Sequence, residues 1–157
     1  MLVFPITILM ATIAFSSGHA CCSVSVVPSA EQLQTLHARA DKGDAEAQFF
    51  LGMIYGNGRG VPQNYAMARA WYEKAATQGY AMAQYNLGAL YFYGHGVPQN
   101  DVKTYMLWTL ATIRFTDDLQ KQAAEYRDKV ASRMSPEQIA EAERLTQQCQ
   151  AQQFKGC

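Results

Sequence analysis

Few residues in this chain are equipped for chemistry. Its 157 residues include four cysteines, Cys21, Cys22, Cys149 and Cys157, and three histidines, His19, His37 and His95. A structural metal site needs thiolates or imidazoles at ligand spacing such as C-x-x-C, and no such spacing occurs. A serine nucleophile of the Ser-x-x-Lys type keeps its base one helical turn away, and no serine here is followed by Lys at that distance. The expected catalytic, metal-binding and cofactor-binding residues are therefore none. Lys plus Arg and Asp plus Glu both number 13, so the formal charge is zero. Nucleic-acid binders carry a basic excess or stripe, and a single-sign field is what steers charged small substrates. Neither nucleic acid nor a small-molecule substrate is expected. The chemistry left is that of recognition by shape, aromatic rings and amides, in a chain whose 49% hydrophobic content is that of a globular protein.

The first thirty residues are uncharged, and the first charge is Glu31. Leu2 to Phe15 are almost wholly apolar, and Ser16-Ser17-Gly18-His19-Ala20 then turns small and polar. An apolar run followed by small residues at a cut site reads as a secretory signal, expected to be cleaved after Ala20. No Lys or Arg precedes the run, which departs from that pattern. An uncleaved membrane anchor is the alternative, although the run is shorter than the roughly 20 apolar residues of a spanning helix and Pro5 interrupts it. Cys21 would be the first mature residue. Gly18 stands where lipoprotein signals carry Leu, so membrane attachment requires either an uncleaved segment or a lipidated Cys21. Export implies an oxidising compartment, periplasmic or extracellular, where disulfides persist. Several connectivities are open. Cys149 with Cys157 is the expected pair, brought together by a short chain reversal after the last helix.

The elements that must position any recognition surface come from an internal repeat. Residues 43–76 and 79–112 are identical at fourteen of 34 positions at one fixed offset of 36. Gly58-Arg59-Gly60-Val61-Pro62-Gln63-Asn64 returns as Gly94-His95-Gly96-Val97-Pro98-Gln99-Asn100. Fixed periods in this range mark repeat arrays. Each unit reads as two antiparallel helices. The first runs over Ala45–Asn57 behind an Asp44 cap and ends at glycines, which permit a left-handed turn. Pro62 blocks continuation, and Asn64 caps a second helix over Tyr65–Thr77. The second unit repeats this as Ala81–Tyr93 and Asp101–Phe115.

At 100° per residue, the recurring helix positions 45, 47, 48, 51, 52 and 55 share one face, expected to be the stacking face. The positions that differ lie opposite. That stripe carries Glu46, Phe50, Met53 and Asn57 in one unit, and Met82, Asn86, Ala89 and Tyr93 in the next. First helices line the concave face of helix-pair stacks, which is the face used for binding. The stripe is therefore the expected protein-binding site unless the N-terminal segment or a cap helix covers it. Trp71, Trp108, Tyr55 and Tyr91 are expected in the core, and His95, matched by Arg59, on an exposed loop.

A stack needs end caps. Ser29 with Gln32 forms a capping box before Leu33, Leu36 and Ala40, as the second helix of a partial unit. Asp117 with Gln120 opens a helix to about Met134, carrying a Glu125–Lys129 pair, and Ser135-Pro136-Glu137-Gln138 starts the last one. The expected layout is a signal peptide over 1–20, a linker over 21–28 and a capping helix over 29–42. Repeats over 43–78 and 79–114 follow, then capping helices and a tail over 115–157.

The pattern Ala-x-Ala-Gln-x-x-Leu-Gly-x-x-Tyr, then Gly-x-Gly-Val-Pro-Gln-Asn, then Trp71-Tyr72-x-Lys74-Ala75-Ala76, resembles the Sel-1-like repeat family, relatives of tetratricopeptide repeats. With the helix before and the tail after, the likeness covers about 29–150. Leu107-Trp108 in place of Trp-Tyr reads as a shifted aromatic. The resemblance implies an all-α, right-handed α-solenoid acting as an interaction scaffold, a short exported bacterial member with no shared catalytic residues. Some cysteine-rich exported proteins with similar repeats have been called β-lactamases, but the paired repeat cysteines of that subgroup are missing here. The expected role is thus a non-enzymatic module of the cell envelope that holds a protein or peptide partner. A secreted effector or signalling accessory would use the same surface.

Overall fold

A computed structural model describes residues 27–154. They form seven helices: α1 (Ala30–Asp41), α2 (Ala45–Asn57), α3 (Tyr65–Ala76), α4 (Ala81–Tyr93), α5 (Asp101–Arg114), α6 (Asp117–Ala131) and α7 (Pro136–Ala151). No strand occurs among the described residues. The architecture is an α-solenoid. Helices α2 and α3 make one antiparallel pair, α4 and α5 the next, and α3 packs on α4 to join them. The expected bounds of α2 and α4 coincide with the observed ones, while α3 and α5 each stop one residue early. The signal-peptide, lipidation and most of the linker expectations lie outside the described residues. Among those residues, no helix is long and apolar enough to cross a membrane.

The recurring residues recur because each closes the same contact twice. Gly58 and Gly94 end their helices in the left-handed region, at φ 65° and 71°. Gln63 Nε2 then donates to Gly56 O at 2.8 Å, and Gln99 Nε2 to Phe92 O at 2.9 Å. Asn64 and Asn100 donate from their backbone amides to Tyr55 O and Tyr91 O. Their side chains accept from Met67 N and Lys103 N, capping α3 and α5. The loop thus satisfies helix-end groups that would otherwise have no intrahelical partner.

Within a pair, a glycine sets the spacing. A Cβ on Gly52 would overlap the Tyr72 ring, and one on Gly88 would sit 2.7 Å from Trp108 Nε1. Tyr72 and Trp108 are thirty-six residues apart and lie on equivalent glycines, so the aromatic is replaced in place and not shifted. Trp108 is 2% exposed and donates from Nε1 to Tyr85 O at 2.9 Å. Trp71, Tyr72 and Tyr91 are buried and Tyr55 half-buried, as the repeat pattern required. His37 on α1 meets Tyr55 Oη at 3.3 Å and the Trp71 ring edge-on at 5.8 Å. Its partners come from two later helices and cannot be seen locally in sequence.

Between pairs, a buried amide bridges the join. Gln48 Nε2 donates to Ala40 O at 2.9 Å, and Gln84 Nε2 to Ala76 O at 3.3 Å. Both glutamines are at most 4% exposed. At the same offset, Gln120 Nε2 donates to Thr112 O at 3.2 Å. Between 115–148 and 79–112 that glutamine is the single identity, yet α6 packs on α5 through it as α4 packs on α3. The C-terminal helices therefore begin a third unit that the repeat pattern does not reveal. It is incomplete, because α7 lies along α5 and scarcely touches α6.

Three local expectations are corrected. Thr116, not Asp117, occupies the cap position of α6, and it makes no side-chain cap bond. Asp117 itself has φ 54°, a left-handed conformation that Asp tolerates better than most residues. The helix ends at Ala131, because Ser132 and Arg133 turn the chain back on α6 carbonyls. Glu125 and Lys129 form no ion pair among the described residues. The capping boxes at Ser29 and Ser135 are both present.

These contacts separate two helical glycines, Gly88 on α4 and Gly56 on α2. Gly88→Ala is expected to lower unfolding free energy by about 1–2 kcal/mol, overpacking against Trp108 outweighing the helix-propensity gain. Gly56→Ala meets only ordinary contacts, with Ala68 Cβ at 3.5 Å, and should raise stability by about 0.5 kcal/mol. Urea titration of both variants checks the contrast.

Candidate protein-binding surface

The differing stripe of α2 and α4 is not uniformly open. Glu46, Asn57 and Tyr93 are exposed, while Phe50, Met53, Met82, Asn86 and Ala89 are half-buried. Glu46 is drawn to the α1 side, where Arg39 Nη2 lies 3.2 Å from its carboxylate and 2.6 Å from Asp44. Asp44 also accepts from Ala47 N, and that bond, with the Arg39 guanidinium, holds its carboxyl below the usual range. Phe50 and Met53 rest against the main core around Phe49, Tyr72 and Leu87. Met82 reaches the α5–α6 cluster of Ala111, Phe115 and Ala123, and Ala89 packs beside Trp108 and Tyr126.

Asn86 donates from Nδ2 to Tyr72 Oη at 3.4 Å. The stripe is therefore tied to the glycine contact beneath it. Burial pushes the Tyr72 phenol well above its ordinary range, with the Asn86 bond opposing. Tyr85 is pushed up to about 12, chiefly by burial and then by the neighbouring Tyr126 and Tyr93 phenols.

One arrangement escaped the sequence reading. Tyr65 and His95 stack at 4.5 Å, and His95 and Tyr93 at 5.6 Å. Phe92 meets Tyr93 edge-on at 4.9 Å, and the Arg133 guanidinium lies 4.7 Å above Phe92. His95 is exposed on its loop as expected, but it sits in an aromatic run rather than alone. The signal was present in the differences between units: Gly56, Asn57 and Arg59 become Phe92, Tyr93 and His95.

Among the described residues, no three His, Cys, Asp or Glu come together to hold a metal. Cys149 is buried and disulfide-bonded. Cys21, Cys22 and Cys157, the candidates for its partner, lie outside the described residues, as does the expected Cys149–Cys157 pairing.

Paired helices joined at a constant offset by the same side-chain bonds define an α-solenoid repeat protein. The family model for the Sel1 repeat matches residues 45–80 and 81–112, a frame two residues later than 43–78 and 79–114 at its start. Residues 45–112 thus carry two Sel1 repeats. Among solved structures it is similar to a protective antigen present in uropathogenic Escherichia coli strains that displays an SLR fold. The match has 33% identity and a TM-score of 0.67 over 75% of this chain and 25% of that one. It is also similar to a Sel1 repeat protein from Oxalobacter formigenes, at 30% identity and a TM-score of 0.56, over 60% of this chain and 39% of that one. The chain thus spans only a quarter to two-fifths of the solved chains it matches. No curated protein matches it. Repeats of this family typically serve in protein interaction, and the family is generally a non-enzymatic scaffold.

The buried phenols carry a pH dependence. A phenol whose folded pKa exceeds its unfolded value of about 10 contributes stability below that value and loses it as pH rises through the folded one. Stability is expected to fall between about pH 10 and 12, and Tyr72→Phe should flatten that fall. Urea midpoints at pH 8 and pH 11 for both proteins check it; equal alkaline losses would contradict the assignment to Tyr72.

Proposed function

We propose that this protein is an exported, non-enzymatic scaffold of the bacterial cell envelope that holds a protein or peptide partner along the concave stripe of α2 and α4. One observation carries the reading. Two units keep their stacking contacts nearly unchanged while the opposite stripe changes completely, from Glu46, Phe50, Met53 and Asn57 to Met82, Asn86, Ala89 and Tyr93. Stacking alone places no demand on that stripe, and extended concave surfaces are the binding surfaces of solenoids. Exposed Glu46, Asn57 and Tyr93 supply the reachable contacts. Half-buried Phe50, Met53 and Asn86 form the floor, their outer edges available to a partner and their inner edges fixed by the core.

Export is supported by the apolar run before Ala20 and by the disulfide at Cys149, a bond characteristic of oxidising compartments. Release to meet a host protein is a second form of the same reading. It is favoured by the likeness to a protective antigen of uropathogenic strains.

The test is crosslinking in cells. A photoreactive side chain at Asn57 is expected to capture one discrete protein, and the same group at Ile113, 54% exposed on α5, is expected not to. Equal capture from both positions, or none from Asn57, would contradict the stripe. Mass spectrometry of the purified chain is expected to show a mature N-terminus at Cys21, and an intact Met1 would contradict cleavage.

A further inference from the structure

The two loops share their backbone chemistry but not the side chains around it. Glycines, Val-Pro, Gln and Asn recur, whereas Phe92, Tyr93, His95 and Asp101 replace Gly56, Asn57, Arg59 and Tyr65. The first unit folds through the same bonds with Tyr65 as the one ring at these positions, so the fold does not require Phe92, Tyr93 or His95. The second unit's three rings continue from Tyr65 of the first unit in one run, Tyr65–His95–Tyr93–Phe92, ended by Arg133 after the second unit. Tyr93 is nevertheless 56% exposed. A ring stacked on one face and buttressed at its edge has little rotamer freedom left to lose on binding.

Beside Arg133 the run meets an open cleft of about 520 Å³, lined by Gln99, Asn100, Asp101, Val102, Arg133 and Gln138. All but Val102 are planar polar side chains, and each is anchored by one atom. Gln99 Nε2 holds Phe92 O, Asn100 Oδ1 accepts from Lys103 N, and Gln138 Oε1 accepts from Ser135 N, each at 2.9 Å. Arg133 pairs with Asp101 Oδ1. Gln99 Oε1, Asn100 Nδ2, Gln138 Nε2 and Asp101 Oδ2 are left without a bond among the described residues and are available to a ligand. Two are donors and two are acceptors, and one Arg is balanced by one Asp. An anion would need net positive charge, and a helical peptide would need an apolar groove; the cleft offers neither. A sugar hydroxyl both donates and accepts, and the C–H face of a pyranose ring matches an aromatic face.

We propose that this edge of the second repeat is a saccharide site. It would take a neutral pyranose oligosaccharide, one ring on Tyr93 and the neighbouring hydroxyls in the cleft. It shares only Tyr93 with the partner stripe.

The test is a nuclear magnetic resonance titration of the purified chain with the β-1,4-linked tetramer of N-acetylglucosamine. Backbone amides of residues 92–103 and 133–138 are expected to shift. Affinity should fall about tenfold in Tyr93→Ala and persist in Tyr93→Phe, with circular dichroism unchanged in both. The absence of shifts at about 10 mM sugar, well above a millimolar dissociation constant, would overturn the proposal. So would shifts indifferent to Tyr93→Ala, or shifts of these amides with an unstructured peptide and not with the sugar. None of these outcomes depends on capture at Asn57, so the two readings fail separately.

Discussion

A helix that ends inside a stack leaves carbonyl oxygens that water cannot reach, and an unmet buried carbonyl is costly. At each joint of this chain one side chain adds to what the backbone supplies, since Gly43 N and Gly79 N already donate to Ala40 O and Ala76 O. Gln48 closes on Ala40 O, Gln84 on Ala76 O and Gln120 on Thr112 O, each eight residues back and each thirty-six residues from the next. The bond sets how far each new pair can slide along the previous one. Once it is made, the glycine-on-aromatic contact fixes the spacing within the pair, and the Val-Pro-Gln-Asn loop closes the turn. The joints are not equal. Gln48 is fully engaged, its Oε1 accepting from Gln78 Nε2 at 2.8 Å. Gln84 Oε1 is buried with no partner among the described residues, since Arg114 stands at the position equivalent to Gln78. Gln120 is on the surface.

The gradient from a buried to an exposed joint shows what was legible in the sequence. Where two units share fourteen residues, the repeat reveals helix bounds, caps and the stacking face, because identical contacts demand identical residues. Where α6 keeps only Gln120, periodicity is silent, and the helices read as caps. Asp117 shows the same limit at one residue. Its type and its spacing to Gln120 resemble a cap, but packing on α5 places Thr116 there. The Trp71-Tyr72 to Leu107-Trp108 change looked like a slide along the helix until Gly52 and Gly88 located both rings.

The recognition surface was legible in outline only. Angular position separated stacking from non-stacking residues, yet helix curvature and neighbours decide depth. Phe50 and Met53 sank against the core, while Tyr93 stayed out. The Tyr65–His95–Tyr93 run joins residues thirty apart, and no local pattern announces it. The near-absence of charge from 46 to 100 acquires meaning here. Only Glu46, Arg59, Arg69, Glu73 and Lys74 are charged there, so the repeats present mainly rings and amides, whose contacts salt screens little.

The most direct test of this account is the unfolding free energy of Gln48→Met, which keeps the volume of the side chain and removes its amide. Ala40 O then keeps only Gly43 N, and Gln78 Nε2 only Lys74 O at 3.4 Å. A loss of about 1 kcal/mol is expected in urea titration, with circular dichroism still that of a helical fold. A variant that unfolds at the wild-type midpoint would contradict it, because the joint would then be held by apolar packing alone.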